Sequence, residues 1–247
     1  MLAVEVEGLR KRYGDTLAIN HLSLTVRKGE IFGILGPNGA GKTTVVECIA
    51  GLRKQDAGRI RVADLDPQSQ RSKVREILGV QLQECKLPEK LRVEEAIRIF
   101  SSFYRDPADP EKLLVDVGLA DKRRAYFENL SGGQRQRLSI ALALVGQPQI
   151  VIFDELTTGL DPQARRHVWE LVESVRASGT TVLLVTHSME EAERLCDRLA
   201  LIDSGRTVAC DTPAELRATA MQALGRDNVT LEDAYLRLTG KNFEVAE

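Results

Sequence analysis

The segment Gly36-Pro37-Asn38-Gly39-Ala40-Gly41-Lys42-Thr43-Thr44 fills the pattern G-x-x-x-x-G-K-[ST] in full. No other stretch restricts the fold as much, because the pattern works only between a buried strand and the start of a helix. Both flanks are present: Ile31 to Leu35 is an apolar run of strand length, and Lys42 to Ala50 reads as a helix. Glycines at these places let backbone N–H groups curl around phosphate oxygens with no Cβ in the way. The helix adds its positive N-terminal end. Lys42 is placed to bridge β- and γ-phosphates, and the Thr43 hydroxyl to ligate Mg²⁺. A glycine-rich turn with an exposed lysine is the plainer alternative, and two correct flanks argue against it. The expected ligand is a nucleoside triphosphate.

The remaining chain reads as the α/β frame that such a loop needs. Short apolar or β-branched runs alternate with helix-period segments, the pattern of a mostly parallel sheet covered by helices. The expected strands are Ala3–Val6, Leu22–Val26, Ile31–Leu35, Ile77–Leu82, Ile150–Phe153, Thr181–Val185 and Leu199–Ile202. Between the fourth and fifth, Lys86 to Gly146 reads as mostly helical. Val93, Ile97, Phe100 and Tyr104 share one helix face, and Leu138, Ala141, Leu142 and Val145 share another. Asp106 to Pro110 punctuates them as a turn. Further helices are expected after Asp161-Pro162, Ser188 and Thr212-Pro213, and a small one in the tail from Met221.

Composition narrows the classes. Thirty-four Lys and Arg against 36 Asp and Glu leave a net charge of −2, which argues against a general polyanion-binding surface, so no nucleic-acid partner is expected. No apolar run approaches the ~18 residues of a membrane span. Met1 to Arg10 alternates acidic and apolar residues and does not resemble a signal peptide. Cys48, Cys85, Cys196 and Cys210 form no C-x-x-C pair and are expected as reduced thiols in a cytoplasmic protein.

Two further places carry chemistry. Ile150-Val151-Ile152-Phe153-Asp154-Glu155 runs from four apolar residues into two carboxylates, at the sheet edge where such folds bind ligands. Asp154 is the natural partner of Mg²⁺, and Glu155 is placed to polarise a water for in-line attack on a γ-phosphate. His187 ends the strand Thr181 to Thr186 and is a candidate donor to the γ-phosphate or the water. His21 and His167 have no such context. The other place is Leu130-Ser131-Gly132-Gly133-Gln134, before a helix. Ser131 and Gln134 have capping-box spacing. Yet two glycines in a first turn cost about 1 kcal/mol each relative to alanine. They suit a place where something approaches the backbone closely.

With that pentapeptide the sequence resembles the ATP-binding subunits of ABC transporters, whose signature it reproduces letter for letter. The resemblance covers nearly the whole chain and keeps the family's order: phosphate loop, glutamine loop, signature, acidic strand, histidine. It implies a P-loop NTPase (RecA-like) core sheet with a small antiparallel β region and an inserted helical subdomain. The core would be residues 1–85 and 147–220, the helical subdomain 86–146, and the C-terminal helical tail 221–247. ATP and Mg²⁺ are the implied cofactors, and Gly36 to Thr44 the implied cradle. Tyr13 lies where the family stacks an aromatic ring on adenine. Gln81 and Gln83 compete for the glutamine-loop role of sensing Mg²⁺ and the membrane partner, and spacing from Gly79 favours Gln83. Asp161, in Gly159-Leu160-Asp161-Pro162, matches the loop that speaks across a dimer, and it also suits a plain helix cap. Leu156 departs from the family, which usually has proline after the glutamate, and a looser turn is expected there.

The resemblance also implies that Ser131, Gly132, Gly133 and Gln134 close over ATP held by a second copy or a paralogous subunit, in a head-to-tail dimer. A transporter would need separate integral membrane permease subunits, placing this chain peripherally at the cytoplasmic face of the cell membrane. Thr230-Leu231-Glu232-Asp233-Ala234-Tyr235-Leu236 resembles the ending of the drug- and polymer-export branch, and no long regulatory extension follows. The alternatives are a soluble relative, for example in iron–sulfur cluster assembly, and a P-loop kinase or GTPase. The intact signature opposes the last, as does the absence of Asn-Lys-x-Asp.

Overall fold

The computed structural model describes residues 1–81 and 86–241. The chain divides into two compact units, Met1–Val74 with Leu183–Glu247, and Arg75–Val182.

The first unit begins with strands β1 (Leu2–Tyr13) and β2 (Thr16–Arg27), paired antiparallel across a two-residue turn with Gly14 at φ 53°. Strand β4 (Ala57–Val62) pairs on the other side of β1, giving a small sheet of order β2-β1-β4. Both early strands run well beyond their apolar runs. Their ends carry charged, exposed residues such as Arg10 and Arg12, so the backbone ladder continues where the hydrophobic pattern stops. Strand β3 (Ile31–Leu35) is buried along its whole length and lies parallel to β8 (Arg198–Asp203). Strand β9 (Arg206–Asp211) closes that side antiparallel to β8. Gly33 permits the tight fit beneath β3: a Cβ there would lie 2.7 Å from Cys196 Sγ.

Helix α1 (Lys42–Ile49) follows β3 and packs on β2 and β4. Helices α7 (Met189–Leu195), α8 (Pro213–Leu224) and α9 (Leu231–Thr239) complete the unit. Each starts on the hydroxyl that the sequence offers: Ser188 Oγ accepts from Glu191 N at 3.2 Å, and Thr212 Oγ1 from Glu215 N at 3.1 Å. Helix α9 has a full capping box between Thr230 and Asp233. The tail from Met221 is therefore the end of α8 plus a second helix.

The second unit holds β5 (Leu78–Gln81) and β6 (Ile150–Asp154), paired parallel. Ile77 is not strand: it closes helix α2 (Arg71–Ile77), and Leu82 lies outside the described residues. Helices α3 (Val93–Ser101), α4 (Pro110–Asp116), α5 (Gly132–Leu144) and α6 (Pro162–Ala177) make up most of the rest. The stretch 86–146 lies inside this unit together with both strands. Helix α5 is its centre and contacts β5, β6, α3 and α6. A Cβ on Gly79 would fall 2.1 Å from the Ala143 carbonyl oxygen, so α5 rests on β5 with no side chain between. Tyr104 lies beyond the end of α3, its ring against Gly146. Strand β7 (Thr181–Thr186), buried throughout, carries the chain from the second unit into the first.

Candidate nucleotide site

The phosphate loop leaves β3 at Gly36 and enters α1 at Lys42. Its glycines are required for different reasons. A Cβ on Gly36 would lie 2.3 Å from the Ile202 carbonyl oxygen, and one on Gly41 2.6 Å from Ile19 Cδ1. Gly39 faces open space, but its φ of 79° is left-handed, as is the 99° of Gly41. Gly41 caps α1 and brings no side chain to satisfy the first-turn N–H groups, which stay available to an anion. Lys42 is only 5% exposed, and its Nζ donates to Gly36 O at 2.8 Å and Pro37 O at 3.1 Å. The ammonium is thus curled into the loop by the loop's own carbonyls. Asn38, Gly39 and the Thr43 side chain lie on the exposed rim, while Ala40 is buried. A ring of backbone donors, one inward cation and a surface hydroxyl fit a nucleotide's phosphates and their Mg²⁺.

Tyr13, at the end of β1, is 37% exposed. Arg53 stands 5.0 Å from its ring centre and Lys11 Nζ 5.7 Å. These cations are tethered in turn: Arg53 Nε donates to Glu47 at 2.5 Å, and Lys11 Nζ to Asp56 Oδ1 at 2.8 Å. The ring is held at the surface, ready to stack on a base.

In the second unit, Asp154 ends β6 only 1% exposed. Its N–H donates to Gln81 Oε1 at 3.1 Å, so the end of β5 fixes the end of β6. Gln81 is itself 3% exposed, and Gln83 lies outside the described residues. Glu155 follows at φ 53°, a left-handed conformation rare for a residue with a side chain. That kink turns the carboxylate away from the strand direction. Leu156 is 1% exposed and Thr157 6%. The turn expected to be loose at Leu156 is instead anchored by a buried leucine.

Ser131 and Gln134 form a reciprocal cap: Ser131 Oγ accepts from Gln134 N at 3.3 Å, and Gln134 Oε1 from Ser131 N at 2.9 Å. The two glycines between them differ. A Cβ on Gly133 would lie 2.9 Å from Ala164 Cβ on α6, so helix packing demands this glycine. On Gly132 it would meet only Leu160 Cδ2 at an ordinary 3.8 Å. Ser131 and Gly132 are exposed at the N-terminus of α5. Asp161 caps α6, with Oδ1 accepting from Gln163 N and Ala164 N, each at 2.9 Å. His187, half-buried after β7, sits on pinned backbone, since Ser188 N donates to Thr186 Oγ1 at 2.9 Å.

The sequence reading missed the support beneath the phosphate loop. Gly205 N donates to Ala40 O at 3.0 Å, from a turn between β8 and β9. A Ser-Gly pair between two strands is the only local signal of it.

Comparison with known proteins agrees with this geometry. The ABC transporter family matches residues 19–158. The chain belongs to the ABC transporter ATP-binding family. It is 44% identical over 218 residues to Nod factor export ATP-binding protein I of Ralstonia nicotianae, covering 86% of this chain and 68% of that protein. It is 40% identical over 244 residues to daunorubicin resistance ATP-binding protein DrrA3 of Streptomyces coeruleorubidus, covering 97% and 75%. A solved ATP-binding subunit of an ABC transporter superposes with a TM-score of 0.83 at 27% identity, over 96% of this chain and 99% of that one. The fold is that of the P-loop NTPases, and the subunit binds and hydrolyses ATP. Among the described residues no helix is long and apolar enough to cross a membrane.

Proposed function

We propose that this ABC subunit powers export of a drug, lipid-linked or polymeric compound through separate membrane permease subunits. The observation that carries this reading is 40–44% identity, over most of the chain, to proteins named for Nod factor export and daunorubicin resistance. A surface feature supports the permease. On α3, Ile99 is 46% exposed, and Phe103 just past the helix 72%. These four-apart apolar side chains suit a coupling helix from a membrane partner.

Within the site, Lys42 and the Gly36–Thr44 amides hold the β- and γ-phosphates, and Tyr13 stacks on adenine. Thr43, Asp154 and Gln83 are the residues that would hold Mg²⁺, which when bound neutralises charge developing on the phosphoryl oxygens. Glu155 accepts a proton from the attacking water, and His187 donates to the γ-phosphate. The exposed N-terminal turn of α5 offers Ser131 and the bare backbone of Gly132 to the γ-phosphate bound by a second copy. Asp161 communicates across the same dimer while capping its own helix.

The test is capture of tagged Glu155→Gln protein from gently solubilised native membranes in Mg-ATP. A polytopic membrane protein in the eluate is the expected result. Soluble partners alone would overturn export in favour of a soluble ABC ATPase, for example in iron–sulfur assembly.

A further inference from the structure

Helix α9 carries a buried tyrosine that the site above does not use. Tyr235 is 0% exposed and among the largest fully buried side chains. A phenol costs free energy to bury unless its hydroxyl finds a partner. Here the hydroxyl donates to Asp203 Oδ1 at 3.2 Å. The other oxygen, Oδ2, accepts from Lys241 Nζ at 2.7 Å and from Ser204 Oγ at 3.0 Å. Burial pushes the Asp203 carboxyl up, but the bonds from Lys241, Ser204 and Tyr235 outweigh it and hold the group below its ordinary value. The Tyr235 hydroxyl is pushed up to about 12 by burial and by Asp203, so it keeps the proton it donates.

Asp203 opens the turn from β8 to β9, in which Ser204 and Gly205 are left-handed at φ 49° and 72°. That turn is the floor of the phosphate loop. Gly205 N donates to Ala40 O at 3.0 Å, and Asn20 N donates to Gly205 O at 2.8 Å. The Ile202 carbonyl fills the space where a Gly36 Cβ would be, and Gly205 Cα lies 3.7 Å from the position of one on Gly41. Three members of the cradle therefore rest on four residues, and the tail grips the same four from outside.

We propose that Tyr235 and Lys241 are positioning residues for ATP, holding the phosphate loop in its binding shape through Asp203 and the Ile202–Gly205 turn. The linkage runs from the Tyr235 hydroxyl to the Asp203 carboxylate, along the turn to the Gly205 N–H, and into the Ala40 carbonyl. A phosphate cradle depends on the direction of its N–H groups, so a small tilt of the floor weakens binding without removing any contact to the ligand. Anchoring the tail by apolar packing alone would need no aspartate here, since Leu231 and Ala234 are already fully buried on the same helix. The inference rests on Gly36–Thr44 being the ATP cradle.

The test is a Mg-ATP titration by calorimetry on the full chain, with thermal melts and steady-state hydrolysis alongside. Tyr235→Phe keeps the ring and removes only the hydroxyl, and Asp203→Ala removes the hub. Each is expected to raise the ATP Kd and KM by roughly three- to tenfold, with kcat changing less than twofold. The double variant should bind no more weakly than Asp203→Ala alone, because both act through one linkage. Leu231→Val loosens α9 without touching Asp203 and should lower Tm while leaving Kd in place. The proposal is overturned if Tyr235→Phe leaves Kd unchanged. It is also overturned if Leu231→Val weakens binding as much for the same loss of Tm. A wild-type chain that bound no ATP would overturn the cradle assignment itself.

Discussion

Glu155 bears a conformational cost that its neighbours do not. At φ 53° it occupies the left-handed region, which costs a residue with a Cβ roughly 1–2 kcal/mol. Strain of this kind persists where surrounding structure fixes it, here the buried Asp154 on one side and Leu156 on the other. The kink gives the carboxylate a direction that an extended strand end would not. Glycine takes this conformation without strain, so Glu155→Gly should abolish ATP turnover yet leave Tm equal to or above that of the parent. A melt with a clear loss of Tm would show that the side chain stabilises the fold and that the kink is incidental. Lys42→Ala should behave in the opposite way. Its Nζ bonds to Gly36 O and Pro37 O close the loop, so calorimetry should show lost ATP affinity together with a modest loss of Tm.

Among the elements, α5 shows how a signature motif can serve both packing and ligand. Gly133 faces Ala164 on α6 so closely that a methyl group would overlap, whereas Gly132 has ordinary clearance. Gly133→Ala should cost about 1–3 kcal/mol of stability through overpacking. The double variant with Ala164→Gly should recover most of it in a thermal melt. Gly132→Ala should leave the melt unchanged and reduce ATP-dependent hydrolysis, because its methyl projects from exposed backbone. Sequence alone could not separate the two glycines, since the difference lies in a contact between helices. The same limit explains what else was and was not readable. Strands β3, β6 and β7, buried along their length, appear as apolar runs. Strands β4 and β9 are missed: β4 begins with three exposed residues, and β9 has no fully buried one. The phosphate loop, acidic strand end and signature are local and were placed by spacing. The Asp203–Tyr235 bond joins residues 32 apart in sequence with no motif between them.

At the scale of the whole molecule, the chemistry is divided between two structural units. The phosphate loop and His187 belong to one, and Asp154, Glu155 and the signature turn to the other. The exposed N-terminus of α5 is a ready anion site whose capping residues already satisfy each other, and the bare face of Gly132 is open. A γ-phosphate brought by a second copy meets backbone N–H groups there and loses that contact on becoming inorganic phosphate. The nucleotide therefore acts as a reversible glue whose strength depends on one phosphoryl group. Glu155→Gln keeps the side chain's size and removes its ability to take a proton from water, so binding proceeds while hydrolysis stalls. Light scattering of Glu155→Gln in saturating Mg-ATP should show a stable dimer that reverts to monomer in Mg-ADP. Lys42→Ala in the same buffer should stay monomeric at every ATP concentration. A monomeric Glu155→Gln chain that nonetheless binds ATP by calorimetry would remove the signature turn from the nucleotide site and leave its glycines to helix packing alone.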